Sequence, residues 1–254
     1  MPPLPILPRL QRILKDSRNR NLEIQLWSMT DIGLVYVATP KVASNAIRRL
    51  IRERQARILL NPDLTARHYK EYKHEIDKKI KQRATPSKVS AIKKDNYYFS
   101  FVRNPLSRLY SCYRDKVLNG ASAKKHCTLR PYGIEFGMSF DDFVYQIASI
   151  PDDESDQHFR SLHNFLTHQG KSFMNHVGKI ETMEQDWRPI HAKFGLDFPQ
   201  RETSTRVSGP KIAFHDLPYT VETATVAAGR YAQDIAHYDY GNEVYALIEK
   251  LKKS

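Results

Sequence analysis

Two apolar runs, each ending at a cluster of cationic and hydroxyl side chains, constrain the fold of this chain most strongly. Residues 33–38 and 96–102 are rich in β-branched and aromatic residues, which predicts buried β-strands. Each run is followed by apolar residues at helical spacing. This alternation predicts an α/β fold, a P-loop-like parallel β-sheet flanked by helices, with ligands at the carboxyl ends of the strands.

The first junction has the chemistry of an anion site. Pro40 tends to end a strand, and Ser44 or Asn45 suits the first turn of a helix. Backbone N–H groups at a helix N-terminus are unpaired and favour an anion, and Lys41 adds an ammonium group. The loop lacks the glycines of a nucleotide-triphosphate loop, and Val42 after the lysine has no hydroxyl for magnesium. We therefore expect a phosphate or sulfate site without a chelated metal.

The second junction supplies another cation and another hydroxyl. Arg103 follows the second strand, Pro105 suits the start of a helix, and Ser111 lies two turns into that helix, away from its apolar stripe. A guanidinium and a hydroxyl can hold a phosphate from two sides. Two such junctions in one chain predict a ligand with anionic groups at both ends.

Together the two motifs carry a family resemblance. The chain resembles the sulfotransferases that use 3′-phosphoadenosine 5′-phosphosulfate (PAPS), specifically the bacterial-type members of the carbohydrate branch related to chondroitin, dermatan and HNK-1 sulfotransferases. In that family a Pro-Lys loop binds the 5′-phosphosulfate, and an Arg-(Asp/Asn)-Pro-x-x-Arg-Leu-x-Ser motif binds the 3′-phosphate. The matching residues here are Pro40-Lys41-Val42-Ala43-Ser44-Asn45 and Arg103-Asn104-Pro105 with Arg108-Leu109 and Ser111. Weaker similarities extend the resemblance over residues 33–241.

The resemblance implies transfer of a sulfuryl group from PAPS to a hydroxyl of a carbohydrate or glycan-like acceptor, with no metal required. Lys41 is implied as a catalytic cation. A polar loop after residue 200 takes the position in which relatives close over the donor, so Arg206 is a further candidate ligand of the 3′-phosphate. The implied donor-binding residues are Pro40, Lys41, Val42, Ala43, Ser44, Asn45, Arg103, Ser111 and Arg206.

A base must accept the proton of the acceptor hydroxyl, and a group with a pKa near neutrality is suited to this task. In relatives with a known base, that residue lies between the two donor motifs, which favours His68 here. Asn61-Pro62 interrupts the helical pattern ahead of His68, so we expect His68 on or just after a loop that can face the cleft. The alternatives are His74, Glu71, Glu75, Asp156 and His158.

Length and composition predict one folded catalytic domain over residues 31–254, preceded by an N-terminal extension over residues 1–30. Two cysteines, Cys112 and Cys127, do not make a disulfide scaffold. No run approaches the ~20 apolar residues of a membrane span. Because Golgi relatives carry such an anchor, we expect a cytoplasmic, bacterial-type enzyme; a Golgi-lumen enzyme is the alternative if the chain is a piece of a longer protein.

Positive charge is concentrated in one segment. Residues 48–94 contain 15 Lys/Arg and 5 Asp/Glu, a net +10 out of +12 for the chain. A positive field concentrates polyanions, so the acceptor can itself be anionic. Nucleic acid is disfavoured as a partner because aromatic residues do not interleave with arginines in a stacking platform. The alternatives to a sulfotransferase are a P-loop-like small-molecule or nucleotide kinase and a non-catalytic basic module that binds polyanions.

Overall fold

The computed structural model describes residues 22–42, 44–92, 96–118, 129–200 and 212–253. Within these ranges, five strands form the central sheet, in the order Lys81–Ala84, Ile24–Met29, Leu34–Ala38, Tyr97–Val102 and His176–Lys179, and two short strands pair as a separate ribbon. The strands are β1 (Ile24–Met29), β2 (Leu34–Ala38), β3 (Lys81–Ala84), β4 (Tyr97–Val102), β5 (Thr167–His168), β6 (Lys171–Ser172) and β7 (His176–Lys179).

Three parallel strands position the functional edge of the sheet. β2 pairs parallel with β4, and β4 pairs parallel with β7. All five residues of β2 are buried, as are five of the six residues of β4, because strands inside a parallel sheet are covered on both faces. The carboxyl ends of β2 and β4 consequently meet at one edge, where residues 39–45 and Arg103 follow them.

The sheet is mixed rather than wholly parallel, which corrects the sequence prediction. β1 forms an antiparallel hairpin with β2, and β3 pairs antiparallel with the other side of β1. The turn between β1 and β2 is too short for a crossover, so the pair can only be antiparallel. Gly33 has a φ of +61° in this turn, a conformation open to glycine at little cost. Part of the predicted N-terminal extension, Ile24–Met29, thus belongs to the sheet.

Helices cover the sheet and build a second apolar cluster beside it. Helices α1 (Ser44–Leu59) and α2 (Tyr69–Ile80) pack on β1, and Trp187 of α7 (Met183–Phe194) stacks on Phe101 with 5.9 Å between ring centroids. The second cluster is built around Leu109, Phe143 and Tyr231. The helices are α1 (Ser44–Leu59), α2 (Tyr69–Ile80), α3 (Pro86–Ile92), α4 (Pro105–Tyr113), α5 (Phe140–Ser149), α6 (Leu162–Leu166), α7 (Met183–Phe194), α8 (Val221–Arg230), α9 (Ala232–His237) and α10 (Gly241–Leu251).

In the part of the chain that the structure describes, no helix combines the length and the apolar character needed to cross a bilayer.

Candidate active site

A cavity of about 550 Å³ opens at the edge where β2 and β4 end. This volume lies in the range of roughly 300–1,000 Å³ typical of small-molecule sites. Its lining is mainly polar and charged, as expected for an anionic ligand. The lining residues are Gln25, Ala38, Thr39, Pro40, Lys41, Ser44, Asn45, Arg48, Arg103, Ser111, Asp115, Gln157, His158 and Ile180.

The first corner of the cavity is the loop between β2 and α1. Lys41 has a φ of +66°, a left-handed conformation that costs a non-glycine residue about 1–2 kcal/mol and that is concentrated at ligand sites. The side chain of Val42 is buried, so the loop is anchored in the core. α1 begins at Ser44, and its first turn presents backbone N–H groups that have no partner within the helix. The corner therefore combines a helix N-terminus with a lysine.

The second corner is formed by the end of β4 and the first turns of α4. Asn104 caps the helix, because its side-chain oxygen accepts hydrogen bonds from the backbone N–H groups of Leu106 and Ser107 at 3.1 and 3.4 Å. Pro105 is the first residue of the helix. The cap fixes the direction in which α4 leaves the strand, and Arg103 and Ser111 both line the cavity as a result.

Two buried hydrogen bonds join the strands that carry the corners. Thr39 donates its hydroxyl to the carbonyl oxygen of Phe101 at 2.7 Å, and Ser100 donates its hydroxyl to the carbonyl oxygen of Val37 at 2.7 Å. Both hydroxyl residues are almost completely buried. A buried polar group without its partner is costly, so these bonds hold the ends of β2 and β4 in one register.

An ion pair crosses the cavity between the corners. Lys41 Nζ lies 3.2 Å from Asp115 Oδ2, and Lys116 lies 3.6 Å from the same oxygen. Asp115 belongs to a π-helical turn, Arg114–Leu118, that follows α4; such turns are frequent at functional sites. Partial burial raises the pKa of the Asp115 carboxyl, but the two lysines outweigh this and hold the pKa below its usual value. At neutral pH Asp115 is therefore an anion that balances Lys41.

A histidine and a carboxylate complete the wall of the cavity. His158 Nδ1 lies 2.6 Å from Asp156 Oδ1, and His158 lines the cavity. Arg108, from the second motif, lies behind them in the core, with 1% of its surface exposed. Its guanidinium donates to the carbonyl oxygens of His158 and Arg160 at 3.4 and 2.7 Å. This motif arginine thus supports the loop that carries the histidine.

The structure brings most of the predicted site residues together. Pro40, Lys41, Ser44, Asn45, Arg103 and Ser111 all line the cavity. Val42 is buried beside it, while Ala43 and Arg206 lie outside the described residues. Their individual roles remain predictions.

His68 has a different position. It ends the 3₁₀ turn Ala66–His68 ahead of α2, and its Nδ1 lies 3.3 Å from both the backbone nitrogen and the hydroxyl of Thr65. It is not among the residues that line the cavity.

Seven lining residues were not predicted as site residues: Gln25, Ala38, Thr39, Arg48, Asp115, Gln157 and Ile180. Asp115 had a signal in the sequence, because it lies four residues after Ser111 and so on the same side of a helical segment. Arg48 likewise follows Ser44 by four residues in α1. Gln25 and Gln157 come from segments distant in sequence, and no local pattern indicates that they reach the cavity.

Comparison with known proteins adds one decisive observation. A family model described as "Sulfotransferase family" matches residues 25–240. The chain belongs to the sulfotransferase family. No curated protein and no solved structure matches it. The match confirms the predicted family, and sulfotransferases move a sulfuryl group to an acceptor, generally from PAPS. The carbohydrate branch of the family remains a prediction.

Proposed function

We propose that this sulfotransferase transfers a sulfuryl group from PAPS to a hydroxyl of a carbohydrate acceptor. The observation that supports this proposal is the convergence of two anion-binding corners, one with Lys41 and one with Arg103, on a single cavity. PAPS carries anionic groups at its 5′ and 3′ positions. A cavity with two cationic corners can bind both groups, whereas a cavity with one cationic corner can bind only one of them. PAPS bound here would supply the sulfuryl group together with a phosphate leaving group.

The chain's own residues divide the work of binding this donor. The first turn of α1 and Lys41 are suited to the 5′-phosphosulfate, because an ammonium and a helix N-terminus both stabilise negative charge. Arg103 and Ser111 are suited to the 3′-phosphate, which a guanidinium can bind through two hydrogen bonds. Sulfuryl transfer depends mainly on positioning and on charge stabilisation, and the ammonium group of Lys41 is suited to neutralise charge that develops on a leaving oxygen. We propose that the reaction needs no metal ion, since the lysine supplies this charge.

Cationic side chains beside the cavity support an anionic acceptor. Gln25, which lines the cavity, lies directly opposite Arg83 in the β1–β3 pair, and Trp27 lies opposite Lys81. Lys81 Nζ and Arg48 Cζ each lie 5.7 Å from the centre of the Trp27 ring. Burial lowers the pKa of Lys81, and the like charge of Arg83 lowers it further. Asp77 and Glu23 balance only some of these cations, and the positive charge that remains attracts anions, so a carboxylate- or sulfate-bearing glycan fits this surface.

Calorimetric titration with 3′-phosphoadenosine 5′-phosphate, with and without EDTA, tests the donor assignment. We expect binding that EDTA does not change, and we expect labelled sulfate to move from PAPS to a glycan in an acceptor screen. Binding of ATP only in the presence of magnesium would instead indicate a kinase. Strongly salt-dependent binding of polyanions without preference for adenosine would indicate a non-catalytic basic module.

A further inference from the structure

The loop of residues 156–160 holds one histidine against the cavity in a defined orientation. Asp156 Oδ1 lies 2.6 Å from His158 Nδ1 and accepts the backbone N–H of His158 at 2.9 Å. The side chain of His158 is 22% exposed, so part of the ring reaches the cavity while the rest is packed. The carboxylate thus fixes both the backbone and the ring.

This loop is also anchored from behind, which distinguishes it from an ordinary surface loop. Arg108 donates hydrogen bonds to two of its carbonyl oxygens. Tyr231 donates its hydroxyl to the carbonyl oxygen of Phe159 at 2.6 Å, and the side chain of Phe159 is fully buried. Anchoring of this kind pre-organises a reactive side chain.

The charge on Asp156 determines which imidazole nitrogen is available. Burial raises the pKa of the Asp156 carboxyl, but the hydrogen bonds and charge of His158 outweigh this and hold the pKa below its usual value. An ionised carboxylate only accepts hydrogen bonds, so Nδ1–H is the donor in this pair, and in the neutral imidazole Nε2 keeps its lone pair. No hydrogen bond joins Nε2 to any residue in the described ranges.

The charged groups around this pair come from several elements. Asp115 of the π-helical turn interacts electrostatically with His158, and Lys116 does so with Asp156. Around the pair lie the Asp115 carboxylate and four cationic side chains, those of Lys41, Lys116, Arg108 and Arg160.

We propose that His158, positioned by Asp156, is the general base of the reaction; this rests on the proposed sulfotransferase function. The acceptor hydroxyl gives its proton to Nε2 while its oxygen forms a bond to sulfur. The bond between sulfur and the leaving phosphate oxygen breaks, and its electron pair stays on that oxygen. The imidazolium formed is stabilised by the Asp156 carboxylate. His158 takes the role that the sequence suggested for His68, since His158 lines the cavity and His68 does not.

Four variants, His158→Ala, His158→Asn, Asp156→Asn and His68→Ala, test this assignment. We expect His158→Ala to lower kcat by at least ~100-fold, the usual contribution of a general base. The Kd for 3′-phosphoadenosine 5′-phosphate should stay within about two-fold, since the donor corners are intact. His68→Ala, the matched control, should keep wild-type turnover. Loss of turnover in His68→Ala with normal turnover in His158→Ala would overturn the proposal.

His158→Asn separates catalysis from loop structure. An asparagine amide can still donate a hydrogen bond to Asp156, but it has no basic nitrogen in the position of Nε2. We expect a wild-type melting temperature with kcat as low as in His158→Ala. Recovery of turnover in His158→Asn would show that the histidine is structural and would overturn the proposal.

Asp156→Asn tests the positioning role through the pH dependence of the rate. The base must be unprotonated, so activity rises as pH increases through the imidazole pKa. Removal of the carboxylate destabilises the imidazolium, so the acid limb of the kcat/KM profile should move to lower pH as the rate falls. An unchanged acid limb would contradict the assignment.

Assays of the wild-type protein distinguish an incorrect assignment of the base from an incorrect assignment of the sulfotransferase function. If the wild-type protein neither binds the nucleotide nor moves sulfate, the function is wrong. If the wild type does both and His158→Ala turns over normally, only the choice of base is wrong.

Discussion

The hydroxyl of Thr39 donates a hydrogen bond of 2.7 Å to the carbonyl oxygen of Phe101, across 62 residues of sequence. Thr39 begins the loop that carries Lys41, and Phe101 lies two residues before Arg103. This buried bond therefore joins the two corners of the cavity. It helps to fix the distance between Lys41 and Arg103, the cations that would bind the two ends of one donor molecule.

Replacement of this threonine should loosen both the fold and the site. We expect Thr39→Val, which keeps the shape but removes the hydroxyl, to lower the free energy of unfolding by about 1–2 kcal/mol. It should also raise the Kd for 3′-phosphoadenosine 5′-phosphate several-fold, while Thr39→Ser keeps both near wild type. Urea unfolding and calorimetry measure the two effects. A loss of stability with an unchanged Kd would show that the bond supports only the fold.

Arg103 should recognise the 3′-phosphate specifically. We expect Arg103→Ala to weaken binding of 3′-phosphoadenosine 5′-phosphate by about 10- to 100-fold, since a hydrogen bond to a charged group contributes about 1.5–3 kcal/mol. Binding of adenosine 5′-phosphate, which lacks the 3′-phosphate, should change by less than about two-fold. Calorimetry with both ligands checks this, and an equal loss for both would place Arg103 elsewhere.

Asp115 should oppose binding of the anionic donor. In Asp115→Asn, Lys41 loses its carboxylate partner and the cavity loses a negative charge. A charge at this separation and partial exposure contributes on the order of 1 kcal/mol, so affinity for 3′-phosphoadenosine 5′-phosphate should rise about five-fold. Asp141→Asn makes the same change on an exposed residue of α5 outside the cavity and serves as the control. Weaker binding in Asp115→Asn would indicate that the carboxylate positions Lys41 for the donor.

The cations on β3 should act on the acceptor rather than the donor. We expect the double variant Lys81→Gln, Arg83→Gln to raise the KM for a carboxylated or sulfated acceptor by about five-fold or more, with the KM for PAPS unchanged. Lys70→Gln with Lys78→Gln removes equal charge from exposed positions of α2. Equal effects of the two double variants would attribute the change to net charge alone.

Asp152 should make stability depend on pH. Asp152 Oδ1 lies 2.6 Å from Arg230 Nη2 and also accepts the backbone N–H of Ser161. Burial raises the pKa of the Asp152 carboxyl, but Arg230 and Ser161 outweigh this and lower it. A lowered pKa in the folded state adds stability above the ordinary carboxyl range, and this stability is lost as pH falls through the folded-state pKa.

We therefore expect Asp152→Asn to cost about 2 kcal/mol at pH 7, with a difference from wild type that shrinks below about pH 4. Denaturant unfolding at pH 7, 5 and 3 measures this difference. A difference that stays constant over the three pH values would contradict the role of the ionised carboxylate.

Local patterns predicted the parts of the fold that depend on neighbours in sequence. β2 and β4 lie within one residue of the predicted runs, residues 33–38 and 96–102. β3 was not predicted, because three of its four residues, Lys-Gln-Arg-Ala, are polar or charged. An edge strand tolerates such residues, since one side of it faces solvent.

In the candidate site, too, local sequence patterns predicted some residues and missed others. Lys41, Ser44, Arg103 and Ser111 were identified because each belongs to a motif next to a strand end. His158 was only one alternative among several bases, because its approach to the cavity depends on a loop that Arg108 and Tyr231 hold from other parts of the chain.

By itself, the sequence determined the family, the two strand-to-helix junctions and the chemical character of each, since these reside in contiguous residues. Only the tertiary structure decided that the junctions share one cavity, that β1 runs antiparallel, and that His158 rather than His68 lines the wall. The physical reason is that strand pairing and buried hydrogen bonds, such as that between Thr39 and Phe101, join residues that no local pattern connects.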